Sequence, residues 1–226
     1  MRWSGVAGSH VAAILLILSF LSGVPAMASD DIALIQAAER GDEGLVRELL
    51  KSGVGVDSRD ERQRTALLAA TQNNHVAVAR LLIEAGADVN AQDRQRDSAY
   101  LLSGAQGHLD ILRMTLAHGA DLASTNRYGG TALIPACERG HVEVVQELLR
   151  TGIDVNHVNN LGWTALMEAV VLSDGGATHQ EIVRLLLESG RADPNIPDKD
   201  GVTALQHARR RGYAVIVGLL QAAGGR

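Results

Sequence analysis

Four histidines return in one slot of this sequence: His75, His108, His141 and His179, spaced 33, 33 and 38 residues apart. Imidazole is the commonest metal ligand in proteins, so a metal centre is the first chemistry to weigh. The spacing argues against it. Residues one structural period apart sit on neighbouring packed helices, about 8–10 Å from each other, whereas a shared zinc would have to lie about 2.1 Å from each nitrogen. Each histidine is instead expected in a turn, hydrogen-bonded to local backbone, with no metal and no cofactor held. Cys137 is the only cysteine. It lies in the apolar run ALIPACERG, which reads as buried helix, and a buried thiol with no cation to activate it is a poor nucleophile. Serines, histidines and acids are plentiful, but no G-x-S-x-G step positions one as a nucleophile. Gly129-Gly130 and Gly175-Gly176 lack the Lys-Ser/Thr that completes a phosphate-cradling loop. No catalytic residue is assigned, and the expectation is a chain that is not an enzyme.

Composition narrows the classes further. The chain has 226 residues and a net charge of −5, which gives it no electrostatic footprint for nucleic acid. Met1-Arg2-Trp3 opens with one positive charge, Val11 to Leu21 is a nearly unbroken apolar run, and Ala26-Met27-Ala28 follows a break at Ser22, Gly23 and Pro25. A charged start, a short apolar core and an A-x-A site are the parts of a secretory leader. The run is too short for a membrane span, which needs about 20 apolar residues. Residues 1–28 are therefore expected to be a signal peptide, leaving 29–226 as the exported protein, in the periplasm or secreted, with no stable membrane insertion. Its single cysteine allows no internal disulfide, so the apolar core alone must hold the fold. A monomer is expected.

The elements that position these residues are set by a repeat. Thr65, Ser98, Thr131, Thr164 and Thr203 open equivalent steps at spacings of 33, 33, 33 and 39, and Gly53, Gly86, Gly119, Gly152 and Gly190 close them at 33, 33, 33 and 38. Within one unit, Val142, Val144, Val145, Leu148 and Leu149 fall at helical spacing with Glu143, Gln146, Glu147 and Arg150 between them, the pattern of an amphipathic helix that Gly152 then ends. Asp60, Asp93, Asn126, Asn159 and Asp198 start the connecting turns, where a short polar side chain bonds its own backbone. A lone unit cannot bury its apolar face, and stacked neighbours make a continuous core. The end units are atypical, as capping requires. One unit carries an insertion, Ser173 to Thr178 (SDGGAT), with a further residue near Arg191. Pro135 falls inside a helix and removes one donor there.

The period and the stretches TALLAATQNNHVAVARLLIEAGADVN, NRYGGTALIPACERGHVEVVQELLRTGIDVN, GWTALMEAV and DKDGVTALQHARRRG resemble the ankyrin repeat. The resemblance runs from residue 30 to about 223. The family's T-P-L step is T-A-L here, and its following histidine is replaced by Leu68, Leu101, Ile134, Met167 and Gln206. The resemblance implies an all-α solenoid of helix-turn-helix units joined by β-hairpin-like turns. About six repeats are expected, near 30–57, 58–90, 91–123, 124–156, 157–195 and 196–223. It implies binding of another protein through the hairpin tips and the concave inner-helix face. Two specific roles are compatible with export: helper of a periplasmic peroxide-defence enzyme, or inhibitor, such as an immunity protein against a secreted toxin.

Residues that do not recur from unit to unit are free of framework duty and mark the expected contact surface. At the tips these include Arg62, Arg64, Arg94, Arg127, Tyr128, Leu161 and Trp163. On the inner helix of the fourth unit they are Glu138 and Arg139. Aromatic residues make up only 3% of the chain, yet Tyr128 and Trp163 fall on adjacent tips with Leu161 beside them. Tyr, Trp and Arg are enriched in binding hot spots, and basic tips on an acidic protein fit a partner with a local acidic patch. The SDGGAT insertion is a second candidate contact.

Overall fold

Four of the units begin their first helix on a hydroxyl. Thr65, Ser98, Thr164 and Thr203 hold extended backbone, and their side-chain oxygens accept the N–H of Leu68, Leu101, Met167 and Gln206 at 3.2–3.4 Å. That satisfies one of the N–H groups a helix start leaves without an intrahelical partner. The structure, a computed structural model, describes residues 26–226, with side chains from Asp30 onward. Its described residues form twelve helices and no strand. They run in pairs: α1 (Ala26–Arg40) with α2 (Glu43–Lys51), α3 (Ala66–Gln72) with α4 (Val76–Glu84), α5 (Ala99–Gln106) with α6 (Leu109–Ala117), α7 (Leu133–Glu138) with α8 (Val142–Leu149), α9 (Ala165–Val171) with α10 (Ala177–Glu188), and α11 (Ala204–Arg211) with α12 (Ala214–Ala222). Each first helix packs on the next first helix and each second helix on the next second helix, so the pairs stack as an ankyrin-type solenoid. The expected leader lies outside the described residues, apart from Ala26–Ala28 at the start of α1. Among the described residues no helix is long and apolar enough to cross a membrane.

The turns between units are hairpins tied by one acidic or amide side chain each. Oδ1 of Asp60 accepts the N–H of Arg62 and Arg64, and Oδ1 of Asp93, Asn126, Asn159 and Asp198 does the same two and four residues ahead, all at 2.8–3.1 Å. Backbone bonds join the tips of the second to fifth units: the N–H of Arg94, Arg127 and Asn160 donates to the carbonyl of Arg62, Gln95 and Tyr128 in the preceding tip. Asn160 Nδ2 adds a bond to the Arg127 carbonyl, and Lys199 Nζ ties the last tip to the Asn160 carbonyl.

A second ladder runs along the turns inside each pair, and it corrects the expectation of local bonding for the histidines. His75 Nε2 donates to the Glu39 carbonyl at 3.1 Å, His141 is held by the Ala105 carbonyl, and His179 Nε2 donates to the Glu138 carbonyl at 3.0 Å. In the last unit Tyr213 takes the slot, its hydroxyl donating to the Ser173 carbonyl at 2.7 Å. The acceptor is always in the preceding unit, two residues before a residue at positive φ. A Cβ on Gly41, Gly107 or Gly175 would lie 2.5–2.7 Å from the ring that stacks there, so glycine is needed for the approach as well as for its φ of +71° to +77°. The third unit breaks the pattern. Asn74 (φ +55°) occupies the glycine slot, and His108 Nε2 bonds Gln106 Oε1 instead.

Three further departures have clear causes. Pro135 lies four residues after Thr131, where its ring opposes the Thr131 carbonyl and it lacks the N–H that Ala69, Leu102, Glu168 and His207 donate in their units. The fourth unit accordingly loses its hydroxyl cap: the Thr131 Oγ1 is buried without a partner, and Ile134 N–H takes the Thr131 carbonyl. The extra residue of the fifth unit is accounted for by Arg191. Its guanidinium reaches back to the carbonyls of Leu149, Thr151 and Ile153 at the end of α8. The SDGGAT insertion ends in the first turn of α10 and braces the last unit through Ser173 and Gly175.

The core is less continuous than stacking alone implies. One group of buried side chains joins α1–α4 to Ala99 and Ile111, and a larger one joins Tyr100, Leu101 and Leu112 to α7–α12. They meet in the third unit, where the buried Ser103, Gly104 and Thr115 contribute little apolar bulk.

Candidate functional site

The tips of the third to fifth units overhang α5, α7 and α9, and between them lies a cleft of about 400 Å³. Its existence follows from the tip ladder. Backbone bonds fix where Arg127, Tyr128 and Leu161 leave the chain, and the asparagine ties of Asn126 and Asn159 leave those side chains free to project. Six large apolar side chains are exposed among the described residues, and three of them line this one cleft: Tyr128 at 55%, Leu161 at 51% and Leu172 at 47%. Leu102, Ile134 and Pro135 continue the apolar lining from the inner helices.

The charged lining is unusual. Glu168, on α9, is only 4% exposed. Asn159 Nδ2 donates to its Oε1 at 2.6 Å, and no other described donor reaches the carboxylate. Burial, then the nearby Glu138, push its pKa from 4.5 up to about 7. Asp97 is also raised, by burial and by Asp93. Asp97, Glu138 and Glu168 all line the cleft, and none forms an ion pair among the described residues. The two arginines present offset these shifts through space, Arg139 at Glu168 and both at Asp97, but form no ion pair with the acids. Arg139 Nη1 donates to the Ala105 carbonyl at 2.9 Å. Arg127 lies over the Tyr128 ring at 4.7 Å and donates to its hydroxyl at 2.9 Å.

Arg127, Tyr128, Glu138, Arg139 and Leu161 therefore share one site. The structure places the other expected contact residues differently. Trp163 is half-buried and packs against the core, with its carbonyl accepting Asn159 N–H. Arg64 is bound to Asp60 at 2.7 Å and to Glu39 at 3.2 Å, with 17% of its side chain exposed. Arg62 and Arg94 stand exposed on the tips of the second and third units, outside the cleft. Cys137 is fully buried and its thiol is pushed well up by that burial. No cluster of three or more metal-ligating side chains occurs among the described residues. Sequence reasoning missed Glu168. Its one available signal was an acid in a slot that is Ala69, Leu102 and Pro135 in the three preceding units.

A family model for ankyrin repeats in three copies matches residues 8–93 and 100–198. The chain belongs to the ankyrin-repeat family. Ankyrin repeats are, as a rule, protein–protein interaction modules without catalytic machinery. An ankyrin repeat domain from Acinetobacter baumannii AYE is 59% identical, with a TM-score of 0.83 over 86% of this chain and 98% of that one. The ankyrin repeat protein EF0377 is 44% identical, with a TM-score of 0.81 over 84% and 97%. A segment of 58 residues, 26% of this chain, is 55% identical to the ankyrin repeat protein YahD of Escherichia coli (strain K12), and spans 28% of that protein's length.

Proposed function

We propose that this ankyrin-repeat chain is an exported binding module that holds one partner protein in the cleft under the tips of its third to fifth units. The observation that carries the reading is the gathering of Tyr128, Leu161 and Leu172, half of the exposed large apolar side chains among the described residues, into one cleft. Exposed apolar side chains scattered singly need no explanation, whereas a contiguous patch rimmed by polar groups marks an interaction site. Arg127 and Tyr128 supply the residue types on which binding energy concentrates. Export rests on the leader-like pattern of residues 1–28, and the exposed Arg62 and Arg94 extend the contact surface toward the first units.

The test is affinity capture from the exported fraction with the wild-type chain and the Tyr128→Ala/Leu161→Ala variant side by side. A partner held by the wild type and weakened by about tenfold or more in the variant, at an unchanged melting temperature, is the expected result. Trp163→Ala serves as the contrast, since it should lower the melting temperature through lost packing. A partner that ignores the double substitution would refute the placement of the site.

A further inference from the structure

We propose that the cleft receives a lysine or arginine side chain from an extended segment of the partner, its charged end against Glu168 and its aliphatic stem between Tyr128, Leu161 and Leu172. The inference rests on the protein-binding reading and names the chemistry of the partner. A buried carboxylate is expensive unless a cation or several donors compensate it. Glu168 has one donor, Asn159, on one oxygen, and its Oε2 is left for a ligand. Glu138 and Asp97 add to the same demand and are likewise without an ion pair. The chain's own cations answer it only in part: Arg139 favours the charged form of Glu168, but its guanidinium is held by the Ala105 carbonyl and pairs with none of the three acids, and Arg127 lies over Tyr128.

The walls complete the match. Lysine and arginine carry a charged head on an apolar stem and bury that stem against apolar surface, which is what a carboxylate floor beneath Tyr128, Leu161 and Leu172 accommodates. The cleft of about 400 Å³ is shared among three units, so residues flanking the basic one also enter it, and apolar flanks fit Leu102, Ile134 and Pro135. Arg127 at the cleft, with Arg94 on the neighbouring tip and Arg62 one tip further away, gives the surface around it the opposite sign. The segment that fits is a basic residue between apolar neighbours, carried by a partner whose surrounding surface is acidic.

The decisive experiment selects a random linear-peptide phage library on the purified full chain. The recovered peptides are then measured against wild type, Glu168→Gln and Tyr128→Ala/Leu161→Ala. Glu168→Gln keeps an acceptor for Asn159, and thermal unfolding verifies its fold. The expected peptides share a Lys or Arg between apolar residues, lose about tenfold in affinity when that residue becomes norleucine, and lose as much against Glu168→Gln. Peptides without a common basic residue, or that bind Glu168→Gln as tightly as wild type, overturn the proposal. If those peptides still lose affinity for Tyr128→Ala/Leu161→Ala, the protein-binding reading stands and only the occupant is wrong. Peptides indifferent to all three cleft substitutions, or a selection that enriches nothing, count against both.

Discussion

Glu168 occupies a slot whose residue changes in every unit: Ala69, Leu102, Pro135, Glu168 and His207. In the last two of these units the slot reaches back to the residue that opens the hairpin. Glu168 bonds Asn159, and His207 Nε2 lies 2.7 Å from Asp198 Oδ2. The pair with Asn159 does not repay the burial of a charge, and the consequence is a pH dependence of stability. Glu168 ionises near pH 7 in the folded chain but near its ordinary 4.5 when unfolded. The unfolded chain thus releases this proton first. The stability this group confers is complete below about pH 4.5 and is lost as pH rises through about 7. Glu168→Gln should therefore be neutral near pH 4 and stabilise the protein by up to about 3 kcal/mol near pH 8, measured by urea titration at both values. Equal effects at the two values would refute it. The sequence made the hairpin ties legible, because an Asp or Asn returns at each of Asp60, Asp93, Asn126, Asn159 and Asp198. Glu168 was illegible for the converse reason: its burial depends on how the units stack, and no period flags a residue that occurs once. Arg64 looked like a free tip residue because its partner Glu39 lies 25 positions back, in the preceding unit.

The helices themselves were plain from apolar spacing, whereas the bonds that lock one element to the next were not. A histidine at the start of a second helix reads equally well as a local turn residue or as a link to the preceding unit, and only stacking shows that it is the link. The exceptions make predictions at this scale. Asn74→Gly removes the Cβ that stands where His108 would otherwise approach the preceding turn, and it relieves a positive φ. The variant should gain about 1 kcal/mol, with His108 shifting toward the Gln72 carbonyl, and chemical denaturation with imidazole NMR would show both changes. Pro135→Ala restores the donor toward the Thr131 carbonyl and lets Thr131 Oγ1 cap α7 as its counterparts cap α3, α5 and α9. A gain of about 1–2 kcal/mol is expected by the same denaturation, and no gain would show that Thr131 cannot adopt the capping geometry.

Over the whole molecule, stability is distributed by neighbour contacts, so a thin place in the core divides the solenoid more than distance does. The two groups of buried side chains meet in the third unit, which buries Ser103, Gly104 and Thr115 and joins the groups through the small Ala120. Native-state hydrogen exchange in low urea should find α1–α4 opening separately from α7–α12, the latter with the higher opening free energy because its buried group is larger. One common free energy for every helix would contradict this. The repeat made the solenoid legible, but not this weakness, since small residues in one unit look like ordinary variation until their burial is known. The tip ladder carries a different implication. From the second to the fifth unit its main rungs are peptide groups, and the side chains that shape each hairpin are the Asp or Asn opening it. Descendants of this chain can therefore exchange the side chains at 127, 128 and 161 with no penalty in curvature, so that recognition diverges at the pace of a surface loop while the architecture drifts at the pace of a core.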